Sequence, residues 1–143
     1  MKRFIFFAAF MLITAFTMPL FGAFQSSTVN GNTIVTDTET GLIWQKTYES
    51  GKTWQQALYY CENLTYAGYN DWRLPDKNEL ASLVNYAKYN PASDFPDMPG
   101  QFFWSSSTAV YNARYAWFVA FNYGGVGTDN KTYTKYYVRC VRN

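Results

Sequence analysis

The chain contains no histidine and only two cysteines among 143 residues, and charged side chains make up 15% of it. Without histidine the usual general base near neutral pH is missing, so is the commonest zinc ligand, and no Ser-His-Asp arrangement can be assembled. If the two cysteines are bonded to each other, no thiol remains for nucleophilic or metal chemistry. The cations form no stripe that could track phosphates, which leaves nucleic-acid binding without electrostatic support. Carboxylates are then the only acid–base candidates.

What is present begins with a three-part opening, "MKRFIFFAAFMLITAFTMPLFGA": Lys2 and Arg3, an apolar run from Phe4 to Phe16, then Pro19 and the small residues Gly22 and Ala23. This is the pattern of a secretory signal cut after Gly22 or Ala23, giving residues 1–23 as signal peptide. The uncharged run is shorter than the roughly 20 residues of a bilayer span, although an uncleaved anchor is the alternative. No cysteine stands where bacterial lipidation would need one. About 120 residues remain, enough for one domain. The two leading cations leave with the signal, so the mature chain is formally neutral. The expected localisation is periplasmic or extracellular. In such an oxidising compartment an even cysteine count favours a disulfide between Cys61 and Cys140.

Residues 24–32, "FQSSTVNGN", read as a polar, irregular leader to a domain over 33–143. "TIVTDTETGLIWQ" reads as a hairpin turning at Glu39-Thr40-Gly41. In "GKTWQQALYYCENL", Thr53 and Gln56 form a capping box, and Trp54, Ala57, Leu58, Cys61 and Leu64 share one helical face. Trp72-Arg73-Leu74 is extended before Pro75. Asp76 caps a second helix with Glu79 reaching back, its buried stripe being Leu80, Leu83, Val84 and Ala87 and its end near Tyr89. "NPASDFPDMPGQ" is a long loop. "QFFWSSST" and "RYAWFVAFN" are strands, the second alternating Trp117, Val119 and Phe121 with Phe118, Ala120 and Asn122. "YGGVGTDNKT" reads as a glycine-rich turn region, and "YYVRCVR" as one final strand with Val138 and Cys140 on one face and Arg139 and Val141 on the other. Trp44, Trp54, Trp72, Trp104 and Trp117 are assigned to the core. The predicted class is α+β, two helices on short, mainly antiparallel strands.

The segments "VTDTETGLIWQK", "TWQQALYYCENL", "GYNDWRLPDKNELASLV", "FWSSST", "AWFVAFNYG" and "YVRCVR", taken in order, resemble the DUF1566 family, also described as the Lcl C-terminal domain. The resemblance implies a branch of the C-type lectin fold, related to the formylglycine-generating enzyme domain, in which a disulfide commonly joins the first helix to the last strand. The enzyme relatives depend on reactive cysteines, so the resemblance carries no activity to this chain. It also lacks the paired Glu-Pro-Asn or Gln-Pro-Asp and Trp-Asn-Asp signatures of calcium-dependent lectins; the nearest text is "NPAS" and "WSSS". Asp94 and Asp97 are the oxygen donors a calcium site would draw on, but no metal and no cofactor is expected.

Recognition is expected from aromatics rather than charges. Thirteen tyrosines are present, and those of the last third are mixed with asparagine and threonine, a composition suited to adaptable contact surfaces. The candidate contacts are Tyr111, Asn112, Arg114, Tyr115, Asn122, Tyr123 and Tyr133, on a face built by residues 105–136. The region Tyr111–Tyr136 is similar to segments that retroelements diversify on this scaffold. The expected function is non-enzymatic binding of a surface glycan, another polymer or a protein. The alternatives are an enzyme on envelope polymers using Asp71 and Asp97, and a purely structural envelope protein.

Overall fold

A computed structural model describes residues 23–143 of the chain. The expected signal segment therefore lies, but for Ala23, outside the described residues. The elements in chain order are β1 (Phe24–Val29), β2 (Asn32–Asp37), β3 (Ile43–Gln45), β4 (Glu49–Lys52), α1 (Trp54–Glu62), α2 (Lys77–Ala81), β5 (Phe102–Thr108), β6 (Tyr115–Ala120), β7 (Gly125–Asn130), β8 (Tyr136–Val138) and β9 (Val141–Arg142). They build a four-stranded sheet, β1-β2-β3-β9, and a five-stranded sheet, β4-β8-β5-β6-β7. Every pairing is antiparallel except β5 with β8, where Phe103 lies opposite Tyr137 in parallel. The chain is thus mainly β with two short helices. No helix among the described residues is long and apolar enough to cross a membrane.

Residues 24–32 are not an irregular leader. Phe24–Val29 pairs along its full length with Asn32–Asp37. Asn30 and Gly31, with φ of 49° and 76°, make the two-residue turn that such a hairpin requires. The expected hairpin at 33–45 is present as β2 and β3. Asp37 holds its turn together, accepting from the amides of Glu39 and Thr40 and from the Thr40 hydroxyl.

Both helices start where local chemistry says they should. Thr53 accepts from the Gln56 amide while the Gln56 side chain accepts from the Thr53 amide, and Asp76 and Glu79 do the same for α2. A cap of this kind contributes about 1 kcal/mol. The second helix stops at Ala81, eight residues short of Tyr89. The Ser82 hydroxyl donates back to the Glu79 carbonyl. The chain then bends so that the Asn85 amide reaches the carbonyl of Ala92 and the Asn90 amide that of Asn122. Leu83 is buried as expected but from a turn, and Ala87 is exposed. The loop from Asn90 to Gln101 is not a surface excursion, because Ala92, Phe95 and Met98 are buried under it.

The glycine-rich stretch is a strand. β7 pairs with β6 from Tyr115 opposite Asn130 to Ala120 opposite Gly125. Its glycines make room for rings: a Cβ on Gly127 would sit 2.7 Å from the Phe118 ring, and one on Gly125 2.1 Å from that of Tyr123. Phe118 is covered by its own sheet, stacked on Phe102 with centroids 5.2 Å apart and edge-on to Tyr136 at 5.0 Å.

Strand alternation sends side chains into two cores. One gathers Ile34, Ala57, Cys61, Trp72, Leu74, Trp104, Ala116, Val138 and Cys140 beneath α1. The other gathers Val35, Trp44, Leu80, Leu83, Phe95, Phe103, Val119, Phe121 and Val141 against α2 and the long loop. Phe103 and Trp104 thus serve opposite faces of β5. Of the five tryptophans assigned to the core, Trp44, Trp72 and Trp104 are buried, whereas Trp54 and Trp117 are half-buried. Their open faces are covered by cations, Lys131 over Trp54 at 3.9 Å and Lys77 over Trp117 at 4.4 Å.

The terminal segment is two strands rather than one. β8 belongs to the five-stranded sheet and β9 to the four-stranded sheet, with Arg139 and Cys140 as the step between them. Cys140 is bonded to Cys61 of α1 across 79 residues. In the chain-entropy picture that closure is worth roughly 4 to 5 kcal/mol. Arg139, completely buried, lies with its guanidinium 4.2 Å over the Phe95 ring. Its Nη1 donates to the carbonyls of Gln45 and Lys46. Burial pulls its pKa down to about 9, and it remains a cation at neutral pH.

Two predictions follow from these constraints. Replacing both Cys61 and Cys140 by alanine should cost about 4 kcal/mol in urea unfolding; a loss below about 1 kcal/mol would show that the bond closes nothing. Glu79 accepts two charge-assisted bonds from Arg73 at 2.7 Å, which hold its carboxyl below the usual range. Stability from that pair is fully present above the unfolded value near pH 4.3 and is lost as pH falls through the lower folded value. Glu79→Gln should flatten the acid limb of stability against pH, and an unchanged limb would contradict this.

Candidate functional site

The β6–β7 hairpin decides where the seven candidate contacts lie. Tyr111, Asn112, Arg114 and Tyr115 lead into β6, and Tyr133 follows β7, whose last residue Asn130 pairs with Tyr115. These five share one end of the sheet. Asn122 and Tyr123 occupy the turn at the other end, roughly 20 Å away along the strand. The structure therefore separates them from the other five along the face built by residues 105–136. Asn122 acts inside the fold, its carbonyl accepting from the Asn90 amide. Tyr123, half-exposed, packs edge-on to Phe102 at 6.5 Å.

At the first end the loop is built from short-range bonds. The Asn112 side chain accepts from the Arg114 amide, and the Tyr115 amide donates to the Asn112 carbonyl. The Tyr111 hydroxyl is bonded to that of Thr128, and the Tyr111 and Tyr115 rings lie 6.3 Å apart. Asn130 orders the facing loop, its side-chain oxygen accepting from the amides of Thr132 and Tyr133. The Lys131 amide ties the two loops together by donating to the Arg114 carbonyl at 2.9 Å.

Between these loops and α1 is a cavity of about 530 Å³, lined by Gln55, Ala113, Arg114, Asn130, Lys131, Thr132 and Tyr133. Gln55 is also part of a larger groove of about 800 Å³ along the outer face of α1, with Lys52, Gln56, Tyr59, Tyr60, Asn63 and Lys135 among its walls. The two hollows meet at Gln55. Together their linings contain Lys52, Arg114, Lys131 and Lys135 and no carboxylate. Tyr59 and Tyr133 are exposed to 70% and 84%. Lys131 is held in place by its bond to the Thr108 hydroxyl at 2.7 Å and by the Trp54 ring, and desolvation lowers its pKa. Sequence reasoning missed Gln55, Tyr59, Lys131 and Lys135. For Tyr59 a signal existed: a large aromatic on the polar side of an amphipathic helix, where packing does not require one.

The carboxylates considered for catalysis or calcium are engaged elsewhere. Asp71 is bonded to Arg142 Nε and Nη2 at 2.7 and 2.9 Å, which lowers its pKa. Asp97 pairs with Lys46 at 3.0 Å. Asp94 is bonded to Lys88 and Asn85, Asp76 caps α2, and Glu79 holds Arg73. Among the described residues no three of His, Cys, Asp and Glu are grouped as a metal cage would need.

These features define a disulfide-closed, mainly β domain with a concave, cation-bearing surface on the first helix and the loops beside it. The chain belongs to the Lcl C-terminal domain family, whose profile matches residues 33–142. No curated protein matches it significantly.

Proposed function

We propose that this protein is an exported, non-enzymatic binding domain that recognises a surface glycan or similar polymer where the α1 groove meets the Arg114–Tyr133 pocket. The observation that carries the reading is the lining itself: four cations, exposed tyrosine rings and side-chain amides, with no carboxylate among them. Tyrosine rings stack on sugar faces with little entropy lost, amides fix orientation, and the cations favour a chain bearing acidic groups. Of the contacts expected from sequence, Tyr111, Asn112, Arg114, Tyr115 and Tyr133 stay in this reading. A C-type-lectin-like fold is consistent with the bond from first helix to terminal segment. Export is supported by that same disulfide and by the opening residues 1–23.

A glycan and polymer array probed with the disulfide-bonded protein, followed by titration of the strongest hit, tests this. Combining Arg114→Ala with Tyr133→Ala should weaken binding at least about tenfold, with a melting temperature within about 2 °C of the parent. Affinity should fall as salt rises. Tyr123→Ala should leave affinity unchanged. Binding that needs Tyr123 and ignores Arg114 and Tyr133 would overturn the placement.

A further inference from the structure

A separate hollow of about 500 Å³ lies where the β1–β2 turn meets the segment after β3, and it shares no lining residue with the proposed glycan surface. Its walls include Thr33, Lys46, Tyr48, Tyr66 and Asp97. Behind it is the buried guanidinium of Arg139. Nη1 of that group donates to the Lys46 carbonyl at 2.7 Å, and the ring of Tyr48 lies 5.6 Å from it. Nε and Nη2 of Arg139 have no acceptor among the described residues.

A cation taken out of water normally requires a carboxylate or a full set of acceptors. Arg139 has neither, since no ion pair to it exists among the described residues. The one carboxylate in the hollow, Asp97, is instead at the mouth. Its side chain is 73% exposed and bonded to Lys46 Nζ at 3.0 Å. It is carried on a backbone with φ of +56°, the left-handed region that aspartate enters more readily than most residues. One cation, Lys46, therefore lines this hollow and a second, the fully buried Arg139, lies behind its wall, while the acid at the mouth is weakly held and largely in water.

We infer that the hollow binds a small carboxylate, which takes the place of Asp97 on Lys46 and is held by the field of Arg139 behind the wall. Asp97 is then an internal competitor: it keeps Lys46 paired when the site is empty and swings into solvent when the ligand arrives. Thr47, whose hydroxyl oxygen accepts from the Gln45 side chain, lies in the same wall, and in this proposal its hydroxyl donates to the second carboxylate oxygen.

The test is a titration of the disulfide-bonded protein with acetate at constant ionic strength, read from the amide shifts of Gly31, Thr33 and Lys46. Chloride and inorganic phosphate serve as comparison anions. Acetate should shift these amides saturably, and neither other anion should do so at the same concentration. Asp97→Asn should tighten acetate binding about fivefold, the strength of one partly exposed ion pair removed from competition. Lys46→Met should abolish saturation; both side chains reach the surface, and unchanged shifts for Cys140 and Val141 would verify the fold. Non-saturating shifts, an unchanged affinity in Asp97→Asn, saturation that survives Lys46→Met, or phosphate bound as tightly as acetate would each overturn the inference.

Discussion

Five residues at the end of the chain, Val138 to Arg142, hold the two sheets to each other. β8 lies beside β4 and β5 in one sheet, and three residues later β9 lies beside β3 in the other. The step between them is bonded on every side. Cys140 is linked to α1, the Gln45 amide donates to the Cys140 carbonyl, and Arg73 and Val141 exchange amide bonds at 2.9 Å. A crossing this short cannot stretch, so neither sheet can shift without breaking it. The buried Arg139 fits the same logic: it sits at the crossing, spanning from the β3 end through its carbonyl contacts to Phe95 of the long loop.

That closure explains why the proposed recognition surface is formed on α1 and its neighbours. The helix is only nine residues long and could not hold a position in isolation. Its disulfide, its capping box and the burial of Ala57 and Cys61 fix one side, which leaves Gln55, Tyr59 and Asn63 presented outward from a rigid base. The Trp54 indole adds a lateral anchor, donating to the Ser105 carbonyl at 2.8 Å while its face supports Lys131. Concave surface, cations and exposed rings are thus consequences of how the helix is pinned.

What could be read in the sequence was what local chemistry decides. Both capping boxes, the β2–β3 turn and the alternation in β6 depend on residues within a few positions of each other, and all are present. The cysteine pairing was expected from an even count and from the export pattern read in residues 1–23. The misreadings share a different cause. β1 is polar, so hydrophobic alternation could not reveal it, although the Asn30-Gly31 pair carried the hairpin signal. β7 has glycines because rings from β6 and the following turn need the space, a fact that exists only once the strands are paired. The second helix carries apolar spacing past Ser82, yet a turn buries Leu83 equally well. The burial of Arg139 depends on rings from three distant segments. Composition pointed to Arg114 and Tyr133, which line the pocket between the loops and α1, but could not tell that Tyr123, only eight residues after Tyr115, belongs to the far end of a hairpin.

The central claim is that the terminal crossing makes the two sheets one cooperative unit. Native-state hydrogen exchange measures this directly, through the opening free energies of amides in each sheet and at the crossing. The account predicts that Val35 in the four-stranded sheet, Val119 in the five-stranded sheet, and Arg73 and Val141 at the crossing all exchange with the same free energy, equal to that of global unfolding. If either sheet opened at a markedly lower free energy while the other stayed protected, the crossing would not be the constraint on which the fold depends.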